Sequence, residues 1–246
     1  MQSATAPARR RRATRAYRAQ RALGSLLRSG RLPAMIVAVG MATLLYGFMF
    51  SNDFLIASIE VRGTTLGDPA EVALAANAIG QSIFRIDAGH VAQRVAALPY
   101  VERVTVQTRF PDRVVLSVTE RTPALVWQAG GQRLLVDRRG HVIAVTQSVD
   151  FPAVMSAGDA PKVGDRLEPA TVAAALAIHE TLDAQLAELW LEPVEGLVAR
   201  LTNGRSVMLG DPTDMPLKLA IFEEVTGDGG DWSLLDLREP GRPYYK

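Results

Sequence analysis

Residues 99–123 read PYVERVTVQTRFPDRVVLSVTERTP, the pattern of two strands joined by a tight turn. Val104, Val106, Thr108 and Phe110 alternate with Arg103, Thr105, Gln107 and Arg109, the two-residue period of a strand with one wet face. Pro111-Asp112 supplies the turn, because proline presets φ and aspartate can bond its own backbone. Val114, Leu116 and Val118 resume the alternation, with Ser117 and Thr119 opposite. Two strands cannot bury a face alone, so their partners must come from the chain upstream.

Upstream, residues 54–61 (FLIASIEV) predict a third strand, closed by Arg62-Gly63. Asp68-Pro69-Ala70-Glu71 is a helix start: Asp68 can cap, Pro69 suits the first helical position, and Glu71 stands three residues after the cap. Val72, Ala75, Ala76 and Ile79 then share a face, and Gly80 predicts the stop. The apolar stretch Ile83-Phe84-Arg85-Ile86 leads to Asp87, a second cap, and Val91, Val95 and Leu98 stripe a second helix that Pro99 ends. The order is therefore β-α-α-β-β, with two helices covering a face of three strands.

Further upstream the chemistry changes. Residues 32–50 (LPAMIVAVGMATLLYGFMF) contain no charge over nineteen positions, which at ~1.5 Å per residue approaches the ~30 Å core of a bilayer. Nine arginines (Arg9, Arg10, Arg11, Arg12, Arg15, Arg18, Arg21, Arg28, Arg31) precede Asp53, the first acid. The other 18 basic residues face all 26 acids, so a net charge of +1 hides a positive tail and an acidic remainder. Arginine on one flank places the tail over residues 1–31 in the cytoplasm and everything after residue 51 outside. A cleaved signal peptide is the competing reading, but SNDFLIAS at 51–58 offers no good small-x-small site. Beside such a helix the arginines set topology and gather anionic lipid rather than bind nucleic acid. With no cysteine in the chain, there are no disulfides and no thiol chemistry, so the folded part must rest on its apolar core.

Downstream, residues 124–246 predict a β-rich domain. Strands at 125–127 and 134–136 flank Gly130-Gly131, and residues 137–140 (DRRG) turn the chain into a strand over 141–145. Residues 151–167, with Pro152, Gly158, Pro161 and Gly164, predict a loop. Pro169 opens a helix with Ala175, Ile178, Leu182, Leu186 and Leu189 on its apolar face. Asn203-Gly204 between 197–202 and 205–209 predicts a type I′ hairpin. Asp211-Pro212 precedes another helix, with Leu217, Ile221 and Val225 four apart, broken by glycines at 227–230. A last strand is predicted over 232–237, followed by REPGRPYY at 238–245.

Several of these segments carry a family resemblance. IEVRG at 59–63, IFRID at 83–87, LPYVERVTV at 98–106 and FPDRVVLSVTERTP at 110–123, behind a basic tail and one apolar helix, resemble the POTRA domain of the FtsQ/DivIB bacterial cell-division proteins. LEP at 167–169, LGD at 209–211 and LLDLREPGRPYYK at 234–246 are similar, more loosely, to that family's β-domain. The expected fold class is α+β: a single transmembrane helix (32–50), a POTRA domain (54–123) and a mixed β-rich domain (124–246).

The resemblance also implies a function. Family β-domains capture the division partners FtsB and FtsL at the edge formed by their last strand, while the POTRA domain aids recruitment to the septum. By position, the partner-binding segment falls on Glu239, Gly241, Arg242, Tyr244 and Tyr245. Glu239 stands where the better-known proteobacterial members have an aromatic residue, and Pro240 and Pro243 lack ladder donors. Pairing there is therefore expected to be short and to lean on the Arg242, Tyr244 and Tyr245 side chains.

No chemistry competes with that reading. His90, His141 and His179 lack a nucleophile or metal partner at motif spacing, and no G-x-S-x-G, H-E-x-x-H or P-loop pattern occurs. Asp159, Asp165 and Glu168 lack the ligand spacing of a calcium loop. The expectation is a scaffold, not an enzyme, with no cofactor, metal or small-molecule substrate, in the cell membrane at the division septum. The alternative is a POTRA-bearing component of protein export or outer-membrane assembly. Such a protein is expected to carry a cleaved signal and a long barrel, and neither is legible here.

Overall fold

The computed structural model describes residues 31–227 and 231–246. The expected cytoplasmic tail and its lipid contacts thus lie outside the described residues, apart from the backbone of Arg31. Helix α1 (Arg31–Met49) matches the charge-free stretch, and Leu32–Met49 is long and apolar enough to cross a membrane while none of it is buried within the protein.

The chain divides into two compact units. Among the described residues, the first joins 31–58 to two short segments, Ile79–Ile86 and Arg109–Arg113. Here the expected strand over 54–61 is shortened. Ser51 caps a 3-10 turn at Asn52–Phe54, and the next residues bond sideways: Ile56 N–H donates to the Gln81 carbonyl at 2.9 Å and Gly80 N–H to the Ile56 carbonyl at 2.9 Å. Those backbone groups are thereby used outside the sheet, and strand β1 covers only Ser58–Arg62.

The second unit contains Ile59–Ala78, Asp87–Thr108 and Val114–Lys246. Its smaller sheet has three strands in the order β1-β3-β2, with β2 at Val101–Arg109 and β3 at Arg113–Glu120. As the central strand, β3 buries Val114, Val115, Leu116 and Val118, whereas β2 is wet along most of its length. Helix α2 (Pro69–Ala76) is capped by Asp68, whose carboxylate accepts from Ala70 N–H at 2.8 Å, and α3 (Ala88–Ala96) by Asp87. Helix α2 stops earlier than Gly80 predicts, because Asn77 takes the left-handed conformation; Ala78 is buried in place of Ile79, which is exposed. Glu71 accepts the Tyr100 hydroxyl at 3.0 Å.

The larger sheet has nine strands in the order β12-β11-β10-β9-β8-β7-β4-β5-β6. Strands β4 (Pro123–Ala129) and β5 (Gln132–Asp137) form the expected hairpin, with Gly130 and Gly131 both at positive φ, and β6 is Val142–Val145. The predicted loop over 151–167 contains strand β7 (Ala153–Ser156), parallel to both β4 and β8. Pro152 stands just outside it, so no ladder donor is lost. Helix α4 (Pro169–Leu182) ends where Asp183 takes φ 39°, and Leu186 and Leu189, expected to extend its face, belong to strand β8 (Leu186–Glu192).

Strands β9 (Gly196–Leu201) and β10 (Ser206–Gly210) form the second hairpin. Only Gly204 has positive φ in its turn, with Leu201 N–H donating to the Arg205 carbonyl at 2.8 Å. This is a three-residue loop rather than the expected type I′ turn, which needs two left-handed residues. Helix α5 (Met215–Gly227) buries Met215, Lys218, Leu219 and Phe222; the expected Leu217 faces solvent. Helices α4 and α5 touch each other and share one hydrophobic cluster with the strands, so they cover the same face of the sheet.

Candidate docking site at the sheet edge

Strand β10 leads through α5 to β11 (Leu234–Asp236), which lies parallel to it, with Leu237 N–H donating to the Met208 carbonyl at 2.8 Å. The exit of β11 is clamped by the Asp236-Leu237-Arg238 sequence. Arg238 Nη2 donates to Asp236 Oδ2 at 2.6 Å, its Nε reaches both carboxylate oxygens at 3.0 and 3.1 Å, and its backbone N–H donates to Oδ1 at 3.1 Å. The guanidinium holds the Asp236 carboxyl below its ordinary range despite partial burial, and the carboxylate in turn raises the Arg238 guanidinium. Gly196 and Gly210 make room beside this clamp. Both have φ of +73°, and a Cβ on Gly196 would stand 2.5 Å from the Gly210 backbone.

After Arg238 the chain turns back. Arg242 N–H donates to the Glu239 carbonyl at 2.8 Å, with Pro240 at the second position of this turn, where its fixed φ fits. Strand β12 (Tyr244–Tyr245) then runs antiparallel to β11, pairing Tyr244 with Asp236 and Tyr245 with Leu235. Lys246 and Leu234 exchange both backbone bonds, at 3.0 and 3.2 Å, and the Ser233 hydroxyl donates to the Lys246 carbonyl at 3.0 Å. In an antiparallel ladder, bonded and non-bonded pairs alternate. Tyr245, next to the bonded Lys246, therefore turns its N–H and C=O away from β11, toward the open side. The expected edge at β11 is thus covered, and the sheet ends on β12 instead.

Residues 54–121 match the family model of the POTRA domain, FtsQ-type, and residues 125–238 that of cell division protein FtsQ/DivIB, C-terminal. The chain belongs to the FtsQ/DivIB family. Relatives named cell division protein FtsQ include that of Chloroflexus aurantiacus, 29% identical over 231 residues (89% of this chain, 84% of the relative). That of Corynebacterium glutamicum is 26% identical over 211 residues (80% and 93%), and that of Streptomyces coelicolor is 34% identical over 152 (61% and 53%). The FtsQ/DivIB match stops at Arg238, so Glu239, Gly241, Arg242, Tyr244 and Tyr245 all lie just past it.

The structure gathers three of those five residues. Glu239, Arg242 and Tyr244 line an open concavity of about 440 Å³ together with Asp236 and Arg238. Gly241 lies in the turn, where a Cβ would meet nothing within 4 Å, and successive side chains alternate, so Tyr245 points to the opposite face from Tyr244. Tyr244 and Tyr245 are 59% and 63% exposed. Neither proline removes a donor from the short ladder that forms, since Pro240 is in the turn and Pro243 precedes β12. Asp236 and Arg238 were legible only as a charge pair two residues apart, a spacing that puts both side chains on one face of an extended segment.

The histidines serve local structure. His90 lies beside Asp87 at the start of α3, His141 beside Asp137, and His179 Nε2 stands 2.9 Å from the Ala153 carbonyl, where burial pushes its pKa down. Among the described residues no cluster of three or more His, Cys, Asp or Glu side chains could hold a metal ion.

Proposed function

We propose that this FtsQ/DivIB-family chain is a non-enzymatic scaffold of the bacterial division machinery that links FtsB/FtsL-like partners at the septum to septal peptidoglycan synthesis. Helix α1 anchors it in the cell membrane in a single pass, with the N-terminus cytoplasmic and both folded domains outside, as the arginine asymmetry supports. The observation that carries the reading is the open β12 edge, where Tyr245 offers an unpaired donor and acceptor beside two exposed rings. A partner strand completes that ladder while its side chains meet Tyr244, Tyr245, Arg242, Glu239 and the turn at Gly241.

The test is binding of the full chain, in lipid nanodiscs, to exported FtsB- and FtsL-like segments from the same organism, with and without residues 239–246. Loss of binding on truncation, with far-UV circular dichroism unchanged, supports docking at β12. Undiminished binding moves the site elsewhere on the scaffold, and turnover of a peptidoglycan precursor by the chain would sink the non-enzymatic reading.

A further inference from the structure

Four phenylalanines from three separate stretches of the sequence form a single cluster in the first unit. Phe48, in the last turn of α1, lies 4.4 Å from the Phe54 ring and 5.5 Å from Phe84, centroid to centroid. Phe54 in turn lies 5.3 Å from both Phe84 and Phe110. Arg85 stands over the Phe50 ring at 5.1 Å. The three segments outside α1 are laced by backbone bonds: Ile83 N–H donates to the Phe54 carbonyl at 2.9 Å and Ala57 N–H to the Asp112 carbonyl at 2.8 Å. They form one platform rather than separate tips.

This platform is not a core. Phe110 is 65% exposed, Phe48 49% and Phe84 42%, although each ring touches another. Continuity with α1 identifies what covers them. If Leu32–Met49 crosses a bilayer, Phe48 sits at its outer hydrocarbon boundary; Phe54 and Phe84, each about a ring's width from it, lie close to that depth, with Phe110 one ring further on. Aromatic side chains favour that level, and guanidinium groups beside them meet the phosphate layer. The same segments carry Arg85, Arg109 and Arg113 against Asp53 and Asp112, a positive balance in sequence, with Arg85 over the Phe50 ring.

We propose that Phe54, Phe84 and Phe110 form an aromatic foot that inserts into the outer-leaflet interface of a phospholipid bilayer beside α1. The inference rests on reading α1 as the membrane span, and its test separates the two. Because the chain has no cysteine, single sites accept an environment-sensitive fluorophore directly. Full chains carrying Phe84→Cys, Phe110→Cys, Gly40→Cys or Val194→Cys are labelled with NBD and reconstituted in phosphatidylcholine/phosphatidylglycerol vesicles containing lipid spin-labelled at carbon 5 or carbon 12. Val194 is 84% exposed and belongs to the other unit, and Gly40 is in the middle of α1.

Labels at 84 and 110 are expected to be quenched by the carbon-5 probe about twofold or more above the Val194 label, and less by the carbon-12 probe. Gly40 is expected to respond most to carbon 12. Quenching at Gly40 with none beyond the Val194 level at 84 and 110 would overturn the foot and leave the span standing. Absence of quenching at Gly40 would overturn the span and the foot with it. Two separately labelled positions guard against a single misfolded variant.

Discussion

Arg121 donates through Nη1 to Asp137 Oδ2 at 2.9 Å, joining the end of the three-stranded sheet's central strand to the end of β5 with side chains only 15% and 10% exposed. Arg121 Nε also donates to the Pro99 carbonyl at 3.1 Å, while Asp137 Oδ1 accepts from the N–H groups of Arg139 and His141 at 2.8 and 2.9 Å. Burial pushes the Asp137 carboxyl up, but the His141 N–H, the Arg121 guanidinium and the Arg139 N–H together outweigh it and hold the pKa below its ordinary value. A depressed carboxyl contributes stability that is complete above its unfolded pKa of about 3.9 and is lost as pH falls through the lower folded value. Asp137→Asn is therefore expected to be less stable than wild type at pH 7, with the gap closing below about pH 4. Arg121→Ala is expected to cost roughly 2–3 kcal/mol at pH 7 by leaving the carboxylate short of a partner. Urea denaturation across pH checks both; a gap independent of pH would refute the linkage.

Glu120 fixes the loop before α2. Its carboxylate accepts from the backbone N–H groups of Thr65, Leu66 and Gly67 at 2.9–3.0 Å and from the Thr65 hydroxyl at 2.6 Å. Burial raises its pKa, and these donors more than reverse the effect. Glu120→Gln puts an NH₂ where one oxygen accepted, so a loss of about 1–2 kcal/mol is expected. Hydrogen exchange at Thr65–Gly67 amides should accelerate; unchanged protection there would contradict the assignment.

Lys218 is 1% exposed in α5, its Nζ donating to the Asp211 carbonyl at 3.0 Å with Oδ1 at 3.4 Å. The aliphatic stem fills core space while the ammonium ties the helix to the end of β10. Lys218→Met keeps the stem and removes the desolvated charge, so its effect should stay within about 1 kcal/mol. Lys218→Ala loses the packing as well and should cost about 2–3 kcal/mol. Thermal melts of the two variants decide it, and equal losses would mean that the charge rather than the stem matters.

At the edge, Tyr245→Pro removes an N–H that points away from β11 and leaves the bonds between Lys246 and Leu234 in place. Partner affinity should fall about three- to tenfold, the value of one hydrogen bond, with little change in melting temperature. Tyr245→Ala keeps the donor, so comparing the two by calorimetric titration separates backbone from ring. Full affinity in Tyr245→Pro would exclude strand addition at this residue.

Local signals in the sequence were reliable where one residue type does one job. Asp68 and Asp87 cap as read, and Gly130-Gly131 turns as read. The fold class and the family segments were legible for the same reason. Errors arose where two structures share a spacing. Leu182, Leu186 and Leu189 keep helical intervals, yet the last two are strand residues once Asp183 breaks α4. Pro152 and Pro161 disguised β7, a strand too short to show alternation between them. At the β12 edge, a two-residue strand has no period at all, so β12 could be found only through its bonds to β11. The Arg121–Asp137 link spans sixteen positions and depends on a close approach that no local pattern encodes.

The parallel seam between β10 and β11 governs the order in which the molecule can be made. Every antiparallel hairpin in the larger sheet closes through a short turn, whereas β11 reaches β10 only after the excursion through α5, as β8 reaches β7 only after α4, and the β11–β12 hairpin joins the sheet only when β11 is seated. Long closures are slow. Of the described strands, β11 and β12 are made after the others, so the edge proposed to receive a partner forms only once the closure over α5 is in place.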